Sequence, residues 1–170
     1  MMTTNNGAVL VAQADIDSPL GPLTAMATER GLAGLWFDAQ QHHPGALDAP
    51  VDAENPHIAA TRAWLAAYWA GRDTAAIKIA LDPQGTPFQQ HVWQALLKIA
   101  RGSTRTYGEI AAQAGKPEAA RAAGAAIGRN PIGIIVPCHR VIGRDGSLTG
   151  YAGGLHRKQA LLQLEGVLLV

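Results

Sequence analysis

Twice in this chain a threonine stands three residues ahead of an amide or acid at the head of an apolar stripe: Thr86-Pro87-Phe88-Gln89 and Thr106-Tyr107-Gly108-Glu109. In such a capping box the hydroxyl takes the backbone N–H of the third residue, whose own side chain returns to the cap, so each pair fixes where a helix begins. Pro87 suits the first helical position, where its missing N–H costs nothing. Phe88, Val92, Leu96 and Ile99 then line one face, which predicts a helix reaching Ile99. A second is predicted over Tyr107–Ala114, closed by Gly115, and a third from Pro117 to about Gly128. Two short helices joined by a glycine-containing turn are the pattern of a helix-turn-helix.

The first third carries the shorter runs of strands. Ala8–Ile16, Pro22–Thr28 and Leu32–Phe37 are apolar and are separated by the turn sequences Asp17-Ser18-Pro19-Leu20-Gly21-Pro22 and Glu29-Arg30-Gly31, which predicts an antiparallel meander. Asp38–Pro56 lacks periodicity and reads as a poorly ordered surface loop. From His57 an amphipathic helix is expected, with Ile58, Leu65 and Trp69 on one face and Gly71 at its end; Ala76–Leu81 could add a further strand. A linker is expected at Asp82-Pro83-Gln84-Gly85. The fold class is therefore α/β (α+β): a small antiparallel sheet with a helix over residues 1–85, and a helical, winged helix-turn-helix unit over residues 86–170.

Charge divides at the same point. Residues 1–85 hold four Lys/Arg against nine Asp/Glu, hence −5, and residues 86–170 hold ten against four, hence +6. A basic half suits a polyanion such as nucleic acid, although solvated surface charge reads equally well from charge alone. The third helix adds a second hint, since Ala119-Ala120-Arg121-Ala122-Ala123-Gly124-Ala125-Ala126 has one long cation among side chains small enough for close backbone approach. The single Cys excludes an internal disulfide and a Cys-rich metal site, and His42, His43, His57, His91 and His156 show no ligand spacing, so neither metal nor other cofactor is expected. Met1–Gly7 has no Lys or Arg ahead of the short apolar stretch Ala8–Ala12, and Ile132–Cys138 and Gly166–Val170 are too short to cross a bilayer. A cytoplasmic protein with no membrane partner is expected.

Chemistry concentrates in Pro137-Cys138-His139-Arg140-Val141. A thiolate is the nucleophilic form of Cys, and a neighbouring base or cation increases its fraction. Adjacent side chains of an extended strand point to opposite faces, so on a strand His139 would need a bend or a bridging water to serve Cys138. A lone Cys-His pair is compatible with a buried structural Cys.

With Asn130-Pro131 before it and Tyr151-Ala152-Gly153-Gly154 after it, this segment resembles the active-site signature of the O6-alkylguanine-DNA alkyltransferases, also called methylated-DNA–protein-cysteine methyltransferases. The resemblance extends through Phe88–Leu97 and Thr106–Gly128, and Asp17–Leu23 is similar to the amino-terminal domain of bacterial members, a ribonuclease-H-like fold in the family. It implies that Cys138 attacks the alkyl carbon on guanine O6 and keeps the group, once per molecule, with His139 as base through a water, Glu165 polarising His139, and Asn130 holding the turn. Tyr107 would donate a proton to the departing base. The helix with Ala119, Ala120, Ala122 and Gly124 would enter the minor groove, Arg121 would fill the gap left by the rotated nucleotide, and Val141, Tyr151, Ala152 and Gly153 would line the pocket. Many members carry Ser at the position of Ala152, a departure that costs little if the contact is a backbone N–H. O4-alkylthymine is a second expected substrate, and a monomer on double-stranded DNA the expected state. Arg101, Arg105, Lys116, Arg129 and Arg140 are candidates for phosphate contacts or structural pairs. The rival readings are a damage-binding relative without transfer, against which the presence of Cys138 counts, and a winged-helix regulator with a buried Cys.

Overall fold

The computed structural model describes residues 7–167; the opening segment Met1–Asn6, read above for a leader, and residues 168–170 of the last apolar run lie outside them. The chain divides into two compact units, Met1–Gln84 and Gly85–Val170.

In the first unit β1 (Leu10–Ile16), β2 (Leu23–Thr28) and β3 (Leu32–Phe37) form an antiparallel meander in that order. The connection at Asp17–Pro22 is closed by Ser18, whose hydroxyl donates to the Gly21 carbonyl and accepts from the Leu20 N–H. Its length sets a register in which Ile16 pairs with Leu23, and Leu23 with Phe37. Every residue of β2 and β3 is buried, so both faces of these strands are covered. Helix α1 (Pro56–Trp69), capped by Asn55, packs against all three strands. Leu47 and Ala49 pack onto Leu10, Met26, Ala33 and Trp36.

The segment expected as a loop of poor order is therefore tied down. Its anchor is Gln13, whose amide donates to the Leu47 and Ala49 carbonyls at 2.8 and 2.7 Å and whose backbone carbonyl accepts from Asp52 N–H at 2.9 Å. The strand expected over Ala76–Leu81 is also corrected: the chain turns at Thr74–Ile77 and makes a single parallel bridge, Leu81 to Leu32. Gly31 allows that approach, because a Cβ there would lie 2.5 Å from the Ala80 carbonyl oxygen.

The second unit runs α2 (Pro87–Leu96), β4 (Arg105–Thr106), α3 (Tyr107–Gln113), α4 (Ala120–Gly128), a 3-10 turn (Cys138–Arg140), β5 (Val141–Ile142) and α5 (Leu155–Leu164). Both capping boxes form as the sequence predicts. Two helix ends differ by more than one residue. α2 stops at Leu96, after which Lys98 and Ile99 bond back three residues to Ala95 and Leu96. α4 starts at Ala120 and not at Pro117, because Ala119 N–H closes a turn onto Lys116 O at 2.9 Å and Ala119, at φ −106° and ψ 42°, has left helical geometry.

α2, α3 and α4 pack around Val92, Leu96, Ile110, Ala111, Ala123 and Ile127. The buried Trp93 indole donates to Ala126 O at 2.9 Å, tying α2 to α4. β4 and β5 pair in parallel, Arg105 with Val141 and Thr106 with Ile142, which sets the start of α3 beside the turn carrying Cys138. No helix among the described residues is long and apolar enough to cross a membrane.

Candidate active site

Cys138 does not lie on a strand. Between Asn130 and Cys138 the chain is a tight buried loop, and the Asn130 side chain closes it: its amide N–H groups donate to Ile132 O at 3.2 Å and Val136 O at 2.8 Å, and its oxygen accepts from Ile132 N–H at 3.0 Å. Ile134 in this loop sits at φ +69°, a left-handed conformation that costs a β-branched residue on the order of 1–3 kcal/mol and persists because its side chain is fully buried. Cys138 N–H then bonds Val136 O at 2.8 Å and the chain enters the 3-10 turn. The opposite-face geometry expected of neighbours on a strand does not apply, since a 3-10 turn advances side chains by about a third of a turn per residue.

His139 is fully buried, and its Nε2 lies 2.7 Å from Glu165 Oε2. The same carboxylate accepts from Arg140 twice, Nε to Oε1 at 2.8 Å and Nη2 to Oε2 at 2.9 Å, while Arg140 Nη1 donates to Ile99 O at 2.6 Å. A carboxylate held by a guanidinium fork accepts only, so Nε2 carries the imidazole proton. Nδ1 is then an acceptor, buried and without a donor among the described residues. Burial holds His139 below the usual imidazole range against the pull of Glu165, with the Arg140 and Lys158 charges acting in the same direction as burial. The arrangement is a neutral imidazole with its basic nitrogen unengaged.

The thiol gains no net help from its surroundings. Burial raises Cys138 above its ordinary value, and the hydrogen bond from Asn130, the Lys158 charge and backbone N–H groups offset this only in part. The resting group is a thiol, the less nucleophilic form. Lys158, on α5, is buried; its ammonium donates to Thr149 O at 2.9 Å and Gly150 O at 3.5 Å, and burial lowers it to about 8.

Tyr107 begins α3, with its hydroxyl 2.7 Å from Thr149 Oγ1. A Cβ on Gly124 would stand 3.5 Å from its ring, so Gly124 lies against Tyr107 and is half-buried. Ala120, Arg121, Ala122 and Ala125 are exposed on α4, whereas Ala123, Ala126 and Ile127 face the core. Ala119 is half-buried just ahead of the helix. Thr106, Tyr107, Gly108, Glu109, Ala120 and Arg144 line a cleft of about 420 Å³. Cys138 is not among its lining residues. Val141 is buried in β5, Tyr151 and Ala152 are half-buried, and the carbonyl of buried Gly153 accepts from Arg157 at 3.0 Å.

Two members of this site take their place only from the fold. Arg140, which the sequence leaves open between a phosphate contact and a structural pair, is a structural pair, turned inward onto Glu165. Lys158 was not singled out, yet Lys158, Leu161, Leu162 and Glu165 fall at i, i+3, i+4 and i+7, the stripe that buries one face of a helix.

Geometry alone defines a buried thiol followed in the chain by a buried, neutral histidine that is held by a carboxylate. Comparison with known proteins narrows this. The family model "6-O-methylguanine DNA methyltransferase, ribonuclease-like domain" matches residues 12–83, and "6-O-methylguanine DNA methyltransferase, DNA binding domain" matches residues 87–167. A methylated-DNA–protein-cysteine methyltransferase of Mycobacterium tuberculosis is 50% identical over 159 residues, covering 88% of this chain and 89% of its own. One of Salmonella typhimurium is 46% identical over 165 residues, covering 91% and 95%. Among solved structures, Mycobacterium tuberculosis OGT in complex with DNA superposes with a TM-score of 0.82 at 50% identity, covering 91% of this chain and 92% of that one. The chain belongs to the 6-O-methylguanine DNA methyltransferase family.

Proposed function

We propose that the protein repairs DNA directly, moving the alkyl group of O6-alkylguanine onto Cys138 Sγ in a single irreversible turnover, with O4-alkylthymine as a second substrate. The observation that carries this reading is the buried His139 whose Nε2 is committed to Glu165 and whose Nδ1 is free to accept a proton.

In the proposed reaction the Cys138 proton passes through a water to His139 Nδ1 while the S–C bond forms and the C–O6 bond breaks. The electron pair of the broken bond stays on the guanine, and Tyr107 donates its hydroxyl proton to the ring. Glu165 stabilises the imidazolium that results, and Arg140 keeps Glu165 ionised and aimed. Asn130 sets the loop that presents the thiol. The product is a thioether with no route back to the thiol, and no step calls for a metal or other cofactor.

A base within a duplex hides O6, so the nucleotide is rotated out before reaction. The exposed small-residue face of α4, with Ala120 and Ala122 beside Arg121, supports an approach through the minor groove with Arg121 in the vacated stack, and Ala119 at the edge of that surface. The backbone of Val141, Tyr151, Ala152 and Gly153 lines the base pocket in this reading. The division of labour follows the two halves, residues 86–170 binding DNA and transferring the alkyl group and residues 1–85 supporting them. The described site residues all come from one unit of one chain, which suits a monomer on double-stranded DNA, and a free reactive thiol suits the reducing cytoplasm.

The test is intact-protein mass after incubation with a duplex containing one O6-methylguanine, with peptide mapping and a Cys138→Ala control. One methyl on Cys138, saturating at one per protein and absent from the control, is expected. Tight binding with unchanged mass would replace this reading with a damage-binding module.

A further inference from the structure

Tyr107 and Thr149 are 42 residues apart in sequence, yet their hydroxyls stand 2.7 Å apart. Thr149 is itself fixed from behind, because the buried Lys158 ammonium donates to its carbonyl at 2.9 Å. Its Oγ1 therefore has a defined place next to Tyr107, and its β-branched side chain has few rotamers with which to leave it.

In the protein as it stands, either hydroxyl can be the donor. That freedom ends when Tyr107 faces a base. A phenol has one proton, and if it points at a ring nitrogen the Tyr107 oxygen can only accept from Thr149. We infer that Thr149 is a positioning residue for the transfer reaction: its hydroxyl donates to Tyr107 Oη, turning the Tyr107 proton toward the departing base and stabilising the charge that gathers on the phenol oxygen as that proton is shared. The inference rests on the proposed alkyl transfer and adds to it a residue that acts through Tyr107. Hydrogen bonds in series strengthen one another, so a donor behind Tyr107 makes Tyr107 a better donor in front. No electron or proton beyond those of the transfer itself is needed, since the Thr149 O–H bond stays intact.

Thr149→Val keeps the branched shape and removes only the hydroxyl, at an exposed position where folding is not at stake. Single-turnover transfer from an O6-methylguanine duplex is measured by rapid quench, and the dissociation constant for the same duplex with Cys138→Ala forms. The variant is expected to transfer about 3- to 10-fold more slowly, the net worth of one hydrogen bond, with duplex affinity within about 2-fold. Thr149→Ser, which restores the donor, is expected to recover most of the rate. In a Tyr107→Phe background Thr149→Val is expected to have no further effect. A rate unchanged by Thr149→Val, an equal loss in the Tyr107→Phe background, or a loss confined to duplex affinity each overturns the inference. Failure of the unaltered protein to alkylate Cys138 would instead overturn the proposed function.

Discussion

Replacing Glu165 with Gln exchanges one oxygen for an NH2 group and reverses a proton. The carboxylate now accepts three hydrogen bonds, from His139 Nε2 at 2.7 Å and from Arg140 Nε and Nη2 at 2.8 and 2.9 Å. Gln can keep one accepting oxygen. If that oxygen stays toward Arg140 Nε, the new amide nitrogen faces both Arg140 Nη2 and His139 Nε2, and a donor there forces His139 to accept at Nε2 and carry its proton on Nδ1. The nitrogen proposed to take the Cys138 proton is then occupied. Loss of a general base costs about 10²- to 10⁴-fold, so the single-turnover rate of Glu165→Gln is expected to fall by that factor. Stability falls as well, because the buried Arg140 cation loses its counter-charge; breaking such a pair by removing one partner costs on the order of 3–5 kcal/mol. The two effects separate in the double variant Arg140→Met/Glu165→Gln. There no unpaired cation remains, so urea unfolding is expected to show much of the lost stability regained while the rate stays low. A Glu165→Gln rate within 10-fold of the unaltered protein, or one restored along with stability in the double variant, would refute the tautomer argument.

Two further predictions follow from the same geometry. Lys158 has a folded value of about 8 against an ordinary 10.5, so the unfolded chain binds more protons between those values, and this group's contribution to stability grows as pH rises through that window and is lost as pH falls through about 8. Urea unfolding of the unaltered protein relative to Lys158→Met is expected to shift in its favour by roughly 2–3 kcal/mol from pH 7.5 to pH 10, and a flat difference would contradict the burial of the ammonium. Arg121→Ala is expected to slow transfer from duplex DNA more than transfer from free O6-substituted guanine, measured by Cys138 mass in both cases; equal losses would remove Arg121 from any role in holding the nucleotide out of the stack.

What the sequence revealed, and what it hid, divides by the range of the interactions. The starts of α2 and α3 were legible because a capping box is four consecutive residues, and the meander because its turns are local too. The start of α4 was misread because Pro117 is as comfortable in a turn as at a first helical position, and the bond from Ala119 to Lys116 favours the turn. Asp38–Pro56 looked free because its anchor, Gln13, lies on a distant strand. At the site, Cys138 and His139 were visible as neighbours in sequence, and Glu165 and Tyr107 entered only through the family resemblance. Arg140 was ambiguous because an arginine in a basic half can turn outward or inward, and only the fold places a carboxylate at its fork. The Thr149 hydroxyl became significant only when β4 and β5 brought the start of α3 beside the loop that Lys158 secures.

The same burial that raises the Cys138 thiol bears on why the proposed transfer calls for a base with no other task. An exposed cysteine beside a cation gains reactivity by being ionised at rest, which also opens it to oxidation and to any passing electrophile. Here the ionised form is disfavoured: Asn130 and Lys158 soften the penalty without reversing it. In the proposed reaction the nucleophile acts once and cannot be spent on the wrong partner, so its proton is best removed only when an alkyl group is in place. Under the proposed function that requirement accounts for the Glu165–Arg140 pair. A histidine free to tumble or protonate could not serve on demand, whereas His139, buried, held neutral and locked by Nε2 onto a carboxylate, keeps Nδ1 open at neutral pH. The conformational strain at Ile134 belongs to the same design, because the loop it sustains sets the Val136 carbonyl where both Asn130 and the Cys138 N–H can reach it.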